Sequence, residues 1–294
     1  MKGIVLAGGS GTRLSPITRA ISKQLIPVYD KPMVYYPFSV LLQAGIREIL
    51  IISTREHIEL YKTLFGNGNQ LGIYISYKPQ KEPKGIAEAF IIGKDFINND
   101  DVCLVLGDNV FYDPYMPDVL QNAKNELEGA VIFAYPVTNP CEFGIVELDK
   151  NNNILSIEEK PKKPKSNLAI PGLYFFDNNV SDIANIIKPS DRNEKEITSV
   201  LQEYLKEKRI KALRLENTNW FDTGTPDGLL NASQFVRDTQ EKTCSYISCI
   251  EEIAWKNKWI SDEKLIRLGE KQNSSQYGKH IICLINNINK PTIS

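Results

Sequence analysis

The sequence predicts an α/β fold: a Rossmann-like, mostly parallel mixed sheet with helices on both faces, followed by an added β region and a C-terminal helical appendage. Three observations indicate this fold. Short apolar strands alternate with helical segments early in the chain, hairpin-like strands follow from residue 129, and helical patterns return at the end. With 294 residues, 42% of them hydrophobic, the chain can form one large domain plus an appendage.

In the first part, four apolar runs predict strands at residues 3–7, 48–53, 73–77 and 102–106, with helices between them over 33–44, 55–65 and 85–96. Gly45 and Gly66 stand where helix C-caps are expected, and Pro37 falls near the start of its helix, where a missing N–H is tolerated. Such alternation favours a parallel sheet, whose ligands bind beyond the carboxyl ends of the strands. Since the loop at Gly8, Gln80 and Asp108 follow strand ends, we expect them to converge in one crevice.

From residue 129 the pattern predicts strands at 130–135, 144–148, 154–158 and 172–176, with a turn at residues 151–153, and then helices over 196–207 and 227–238. We therefore divide the chain into a main α/β domain, residues 1–240, and a helical appendage, residues 241–294. The main domain has two halves, about residues 1–128 and 129–240.

Composition narrows the class of protein. A net charge of −1 argues against nucleic acid or an anionic membrane surface as a partner. The five cysteines show no Cys-x-x-Cys pairing, so we expect reduced thiols, and the wide separation of His57 and His280 argues against a His-rich zinc site. The first apolar run ends in glycine and no run reaches the roughly 18 residues of a membrane span. We expect a cytoplasmic protein.

A glycine-rich loop follows the first strand. Gly8, Gly9 and Gly11 let main-chain N–H groups approach a bulky anion, and Arg13 and Lys23 add positive charge. Together these residues predict a polyphosphate cradle. It is not a Walker A loop, because no Gly-Lys-Ser/Thr follows, nor a dinucleotide fingerprint, because the third glycine is missing. The alternative is an ordinary strand-to-loop connection, which the two cations disfavour.

Two acids could hold Mg²⁺, which favours one or two carboxylates together with substrate phosphates. Asp108 follows the fourth strand, and Asp222 lies in a Trp-Phe-Asp-Thr-Gly segment. Each has an ordinary alternative, an Asx turn for Asp108 and a turn or helix N-cap for Asp222.

A second pair of charged residues lies in the later half. Pro161 predicts an extended Lys160, which would place Glu159 and Lys160 near one ligand, the carboxylate for hydroxyls and the ammonium for a phosphate. The alternative is a solvated basic loop, which we favour for the lysines that follow. In the first half, the Gln80 amide could bind a base edge or be an exposed loop residue.

Several runs in the sequence resemble those of sugar-phosphate nucleotidylyltransferases, and specifically the long bacterial form of the glucose-1-phosphate thymidylyltransferases. The runs are Leu6-Ala-Gly-Gly-Ser-Gly-Thr-Arg-Leu14, Ser22-Lys-Gln24 and Asp30-Lys-Pro-Met-Val-Tyr-Tyr-Pro37. The resemblance covers nearly the whole chain. It implies Mg²⁺-dependent transfer from dTTP to glucose 1-phosphate, giving dTDP-glucose and pyrophosphate as the first step of dTDP-rhamnose synthesis. It also implies a homotetramer, built as a dimer of dimers, and a sugar-binding role for the added β region.

The resemblance assigns roles residue by residue. It places Asp108 as the catalytic acid, with Asp108 and Asp222 as metal ligands and Arg13, Lys23 and Lys160 as catalytic cations. The nucleotide-binding residues it implies are Leu6, Gly8, Gly9, Gly11, Thr12, Gln24, Gln80 and Gly85. The sugar-phosphate-binding residues it implies are Gly144, Glu159, Lys160, Ile170, Tyr174 and Arg192.

Other functions remain open at this point. A methyl group provides only about 1–3 kcal/mol of discrimination, so UTP, or CTP, is an alternative to dTTP. A catalytically inactive nucleotide-sugar sensor is disfavoured because the charged residues are present, and a dehydrogenase is disfavoured because Ser53 ends the second strand. Long-form members also share a second, regulatory nucleotide site. Here Asp113 and the segment Glu216-Asn217-Thr218, which lacks an arginine, predict weakened end-product control.

Overall fold

The computed structural model describes residues 1–9 and 11–288, and Ser10 and residues 289–294 of the predicted appendage lie outside this described part. The described chain contains a large mixed sheet with helices on both faces. The strands of the described chain, in the large sheet and in two small two-stranded sheets, are β1 (Lys2–Ala7), β2 (Pro27–Val28), β3 (Lys31–Pro32), β4 (Glu48–Thr54), β5 (Tyr74–Gln80), β6 (Val102–Leu106), β7 (Asn109–Tyr112), β8 (Ala130–Pro136), β9 (Gly144–Leu148), β10 (Ile154–Glu159), β11 (Leu168–Ala169), β12 (Leu173–Phe176), β13 (Ile210–Arg214) and β14 (Asn219–Asp222).

Most helices follow strands as the alternating pattern predicts. They are α1 (Tyr35–Gln43), α2 (Ile58–Phe65), α3 (Glu88–Ile92), α4 (Lys94–Ile97), α5 (Met116–Asn125), α6 (Val180–Ile186), α7 (Ile197–Lys206), α8 (Pro226–Thr243), α9 (Ile250–Lys256), α10 (Asp262–Glu270) and α11 (Gln276–Ile288). Within the described residues, none of these helices combines the length and apolarity that crossing a membrane requires.

The order of the strands determines where a ligand can bind. The main sheet runs β10-β9-β11-β8-β12-β6-β1-β4-β5, with β13 added alongside β8. β1 lies between β4 and β6 and is parallel to both, whereas β12 joins β6 antiparallel and begins the mixed half. From β1 the chain continues to β4 and β5 on one side and then returns to β6 on the other side. The carboxyl end of β1 is therefore a topological switch point, where open α/β sheets bind ligands.

The sheet separates two apolar cores because successive side chains of a strand point to opposite faces. In β1, Val5 joins the core beneath α1 and α5, whereas Ile4 joins the core beneath α3 and α7. The first core also includes residues of α9, α10 and α11, such as Ile250 and Leu265. The C-terminal helices thus complete one face of the main sheet.

A buried lysine joins the β2–β3 hairpin to these helices. The Nζ of Lys31 lies 5.1–5.8 Å from the ring centroids of Tyr36, Tyr246 and Tyr277, and it is paired with Asp30. Burial lowers the pKa of Lys31, although the charge of Asp30 opposes that shift. The amide of Gln240 donates to the other oxygen of the Asp30 carboxylate at 3.0 Å, so the hairpin and α8 share one polar cluster.

The predicted fold class is confirmed, but some elements differ from the prediction. The helix predicted over 85–96 is wrong as one piece: Gly85, with φ of 101°, lies in a loop against Lys195, and Gly93 separates α3 from α4. β5, predicted over residues 73–77, extends to Gln80 because its pairing with β4 continues to Thr54. Gln80 therefore ends the strand rather than following it. The sequence analysis also missed the short or distant strands β2, β3, β7, β11, β13 and β14.

Candidate active site

The glycine loop leads directly from β1 into the crevice. Gly11 has φ of 62°, in the left-handed region that favours glycine, and a 3-10 turn at Thr12–Leu14 follows. Leu14 is buried by this turn, whereas Arg13 stays 56% exposed and lines the crevice. The loop therefore presents a cation beside the carboxyl end of β1.

At the floor of the crevice, Lys23 forms an ion pair with Asp108. The lysine side chain is only 6% exposed. Burial raises the pKa of Asp108, but the charge and hydrogen bond of Lys23, together with the amide of Asn109, outweigh burial and hold that pKa below its ordinary value. Asp108 is therefore ionised, and Lys23 is the buried cation that balances it.

The second acid reaches the site through strand pairing. β14 lies antiparallel to β7, which sets Asp222 opposite Asn109 and beside Asp108. Burial, and next the charge of Asp108, raise the pKa of Asp222, while Lys23 and Arg13 act against the shift. Arg13 Nη2 lies 3.8 Å from Asp222 Oδ2, and the backbone N–H of Gly224 donates to the other carboxylate oxygen at 2.9 Å.

The two carboxylates fit a magnesium ion. Asp108 and Asp222 both line the crevice, and the charge of Asp108 raises the pKa of Asp222, so a cation between the two carboxylates would relieve their repulsion. Two carboxylates, with the remaining positions left to water and substrate phosphates, are a donor set typical of Mg²⁺.

Asn109, which the sequence analysis did not select, holds the floor of the site together. Its side-chain oxygen accepts hydrogen bonds from Trp220 Nε1 at 2.6 Å and from the N–H of Gly172 at 3.0 Å, and its amide donates to Asp108 at 3.0 Å. Strands β7 and β14 and the residue before β12 are thereby fixed around one carboxylate. The position directly after Asp108 was the only available sequence signal, because the partners lie more than sixty residues away.

Two glutamines lie beside the glycine loop, and their orientation follows from their partners. Gln80 is buried, and its Nε2 donates to Glu88 Oε2 at 2.6 Å, so its Oε1 points at Gly8, where a Cβ would collide with it. The Oε1 of Gln24 accepts from the hydroxyl of Ser22 at 3.2 Å. Because the Glu88 carboxylate can only accept, the Gln80 amide nitrogen must face it, and the Gln80 carbonyl oxygen faces the loop. Gln24 instead keeps its amide N–H₂ for the crevice that it lines.

At the opposite end, Glu159 is held by two side chains. Arg192 donates to its Oε1 at 3.0 Å and also to Glu196 at 2.9 Å, while the hydroxyl of Thr198 donates to its Oε2 at 3.2 Å. Arg192 does not itself line the crevice. Its hydrogen bonds to Glu159 and Glu196 instead orient the Glu159 carboxylate, which does.

Lys160 differs from the prediction. We predicted an extended residue before Pro161, but Lys160 has φ of 42°, in the left-handed region, so that prediction is wrong. The reason is tertiary: its N–H donates to the carbonyl of Phe143 at 3.0 Å, beyond the last pair of the β9–β10 hairpin. The side chain is exposed at the rim of the crevice. A non-glycine residue held at positive φ at a site edge is a strained position.

The structure gathers most of the predicted site residues. Those lining the crevice are Leu6, Gly9, Arg13, Gln24, Asp108, Gly144, Glu159, Lys160, Ile170, Tyr174 and Asp222. Seven others do not line it. Two of these pair with lining residues, Lys23 with Asp108 and Arg192 with Glu159, and Gly8 and Gln80 contact each other. The remaining three are Gly11, Thr12 and Gly85. Lining residues that were not predicted are Ile86, Leu106, Asn109, Glu142, Phe143, Gly172, Glu194, Ile197, Thr198 and Trp220.

The two segments of the predicted regulatory site lie together. Asp113 is 9% exposed and accepts from the hydroxyl of Thr218 at 2.7 Å and from the N–H of Tyr115 at 2.8 Å. Its carboxylate is thus engaged within the chain. Arg214, which could have replaced the missing arginine, donates to Asn152 at 2.9 Å.

Comparisons with known sequences identify the family to which this chain belongs. The family model for nucleotidyl transferases matches residues 2–239. A glucose-1-phosphate thymidylyltransferase of Neisseria meningitidis is 51% identical over 286 residues, covering 97% of this chain and 99% of that protein. The enzyme of the same name from Mycobacterium tuberculosis is 49% identical over 286 residues, with the same two coverages.

Solved structures also match. A Bacillus anthracis protein assigned as a glucose-1-phosphate thymidylyltransferase, in complex with sucrose, aligns with a TM-score of 0.75 at 39% identity, covering 81% of this chain and 96% of its own. A UDP-glucose pyrophosphorylase complexed with UDP-glucose aligns with a TM-score of 0.72 at 25% identity, covering 81% and 98%.

Proposed function

Because this chain belongs to the nucleotidyl transferase family, as a glucose-1-phosphate thymidylyltransferase, we propose that it transfers the thymidylyl group of dTTP to α-D-glucose 1-phosphate and releases pyrophosphate. The observation that carries this proposal is one crevice holding a glycine loop with Arg13, the pair Asp108 and Asp222, and the rim residues Glu159 and Lys160. Phosphate-binding charge and a carboxylate for hydroxyls thus face each other across it.

The chemistry proposed is in-line attack of the sugar phosphate on the α-phosphorus. A phosphate monoester has a second pKa of about 6, so at neutral pH it is largely a dianion and needs no general base. The protein must instead hold two polyanions together. Arg13 on the nucleotide side and Lys160 on the sugar side supply charge, and Lys23 fixes Asp108 as an ionised ligand. Mg²⁺ held by Asp108 and Asp222 would neutralise charge on the phosphates.

The glutamines support a thymine or uracil base over cytosine. The ring N3 of thymine and uracil carries a hydrogen, whereas the N3 of cytosine accepts. Because Gln80 donates to Glu88, it turns its acceptor oxygen toward Gly8; a base seated against this loop would meet an acceptor, which suits N3–H and repels the cytosine ring nitrogen. Between thymine and uracil the difference is one methyl, about 1–3 kcal/mol, so UTP is the nearest competitor.

The sugar end supports a hydroxyl-rich acceptor. Arg192 and Thr198 fix both oxygens of Glu159, and each of them leaves acceptor capacity on the carboxylate toward the crevice. Ile170 and Tyr174 also line this crevice, and these residues are only 6% and 3% exposed. We further propose that the product feeds dTDP-rhamnose synthesis and that the enzyme works as a homotetramer.

A panel assay tests the function: pyrophosphate release is measured for dTTP, UTP and CTP, each with several sugar 1-phosphates. We expect the highest kcat/KM with dTTP and glucose 1-phosphate. Folded protein that releases no pyrophosphate with any pair would instead support the nucleotide-sugar sensor.

Base selection has a test of its own, with dCTP as the competing substrate. Glu88→Gln should lower discrimination against dCTP, since a glutamine can accept or donate and no longer fixes the Gln80 amide. The control is Glu82→Gln, which alters an exposed glutamate paired with Lys84 in the same loop. If Glu88→Gln discriminates as the unmodified enzyme does, the orientation argument is wrong.

A further inference from the structure

A cluster of three metal-ligating groups lies outside the crevice, in the C-terminal helices. Cys249 directly precedes α9, Glu252 is in the first turn of α9, and His280 is on α11. The Cys249 sulfur, a Glu252 oxygen and a His280 nitrogen all lie within 4.8 Å of one another. Among the described residues, no other set of three such groups is this close.

The sequence spacing explains why two of the three groups lie together. Cys249 and Glu252 are three residues apart at the start of a helix, which brings their side chains to the same side. His280 is contributed by packing of α11 against α9, and its Nε2 lies 3.0 Å from Glu252 Oε2. A site with a single histidine leaves no His-rich pattern in the sequence, so this cluster was not predicted.

The distances suit a small tetrahedral ion after modest closing. Zinc bonds sulfur at about 2.3 Å and nitrogen or oxygen at about 2.0–2.2 Å, which sets neighbouring ligand atoms roughly 3.4–3.6 Å apart in a tetrahedron. The His280–Glu252 distance is already below that range. The Glu252–His280 edge therefore has to open by a few tenths of an ångström, and the two sulfur edges have to shorten by about 1.2–1.4 Å at most.

The surroundings orient the three groups. The Tyr246 ring stacks on the His280 imidazole, with centroids 4.4 Å apart and planes 26° apart. Lys256 holds Glu252 Oε1 at 2.7 Å and leaves Oε2 toward the cluster. Outer contacts of this kind fix ring and carboxylate orientation in metal sites. Cys249 is buried, while the His280 and Glu252 side chains are 14% and 12% exposed, which leaves an opening for a water ligand.

We propose that Cys249, Glu252 and His280 bind a zinc ion, with water as the fourth ligand, and that this ion links α9 to α11. One sulfur, one nitrogen and one oxygen donor suit zinc, whereas magnesium requires oxygen donors. On binding, the thiol proton is released to solvent and the thiolate bonds the ion. The site is separate from the pair Asp108 and Asp222, which offers oxygen donors only. Without an ion, the same residues form a Glu–His pair beside a buried thiol.

Cobalt titration of the full-length, chelator-stripped protein distinguishes the two states. Thiolate–Co²⁺ bonding gives an intense near-ultraviolet charge-transfer band that carboxylate ligands do not give. We expect this band to saturate at about one equivalent per chain and to disappear when zinc is added. Cys249→Ser should abolish it, and Cys283→Ser, which alters an exposed cysteine on α11 near His280, should leave it unchanged.

A second variant keeps the test decisive if Cys249→Ser does not fold. His280→Gln, at a partly exposed position, should weaken cobalt binding by at least the roughly 10–100-fold that loss of an outer partner costs. Asp222→Asn should leave the band intact. The proposal is overturned if the unmodified protein shows no sulfur-to-cobalt band, if Cys283→Ser removes the band, or if His280→Gln binds cobalt with unchanged affinity.

Discussion

The two acids of the proposed magnesium site should affect the stability of the metal-free protein in opposite directions. Asp108 balances Lys23, whose side chain is only 6% exposed, so Asp108→Asn leaves a buried ammonium without its partner. Breaking a buried pair costs about 3–5 kcal/mol of unfolding free energy. Because the Asp108 side chain is 23% exposed to the crevice, solvent screens part of the effect, and we expect a loss near 3 kcal/mol, the lower end of that range.

Asp222→Asn should instead stabilise the metal-free protein at neutral pH. Burial and the charge of Asp108 raise the pKa of Asp222 in the folded state above its unfolded value. The folded chain therefore binds that proton more tightly, and ionised Asp222 costs stability above the raised pKa. Asparagine removes this cost while its side-chain oxygen can still accept from Gly224. The gain should decrease as the pH falls below the raised pKa and vanish below the ordinary pKa of an aspartate, where Asp222 is neutral in both the folded and the unfolded chain.

Urea unfolding with a chelator present, followed by tryptophan fluorescence, measures both effects. The double variant Lys23→Met/Asp108→Asn is the matched control: removing both charges should recover most of the loss caused by Asp108→Asn alone. Added Mg²⁺ should stabilise the unmodified protein much more than either single variant. Equal shifts in one direction for Asp108→Asn and Asp222→Asn, or a double variant no more stable than Asp108→Asn, would refute the assigned charges.

Three further predictions concern turnover and control. Arg13→Ala should lower kcat by roughly 10²–10³, the loss typical of one transition-state donor, with little effect on unfolding because Arg13 is exposed; near-normal turnover would exclude it from the mechanism. Lys160→Ala should raise the KM for glucose 1-phosphate more than that for dTTP, and the reverse order would place Lys160 on the other substrate. In initial-rate assays dTDP-rhamnose should inhibit weakly, since the segment lacks an arginine and Arg214, the candidate replacement, is engaged with Asn152. Strong inhibition that is not competitive with dTTP would contradict this.

The sequence predicts best those features that depend on local pattern. The apolar runs of β1 and β6 needed no tertiary information, and the glycines after β1 placed the loop correctly. The paired strands β7 and β14 were missed because Asn109 and Asp222 are joined by a ladder that spans more than a hundred residues. The same reason explains why the roles of Asn109 and Trp220 were not predicted.

Local rules also failed where tertiary contacts opposed them. Pro161 disfavours helix at Lys160, yet that preference does not exclude the left-handed region, which the hydrogen bond to Phe143 selects. The resemblance to the long-form regulatory site placed Asp113 toward a ligand, but its hydrogen bond to Thr218 could not be inferred from residues about a hundred positions apart.

The setting of Lys31 has a consequence for how the chain can be divided. The family model ends at residue 239, yet Tyr246 and Tyr277, two of the three rings around the Lys31 ammonium, lie beyond that point. The hairpin that carries Lys31 is connected to the nucleotide side of the crevice, because the N–H of Val34 donates to the carbonyl of Gln24 at 2.9 Å. Truncating the chain at residue 239 would expose the buried Lys31 ammonium and the apolar surface that the C-terminal helices cover. The C-terminal helices therefore share a core and a buried cation with the main domain, although in sequence they resemble an addition to it.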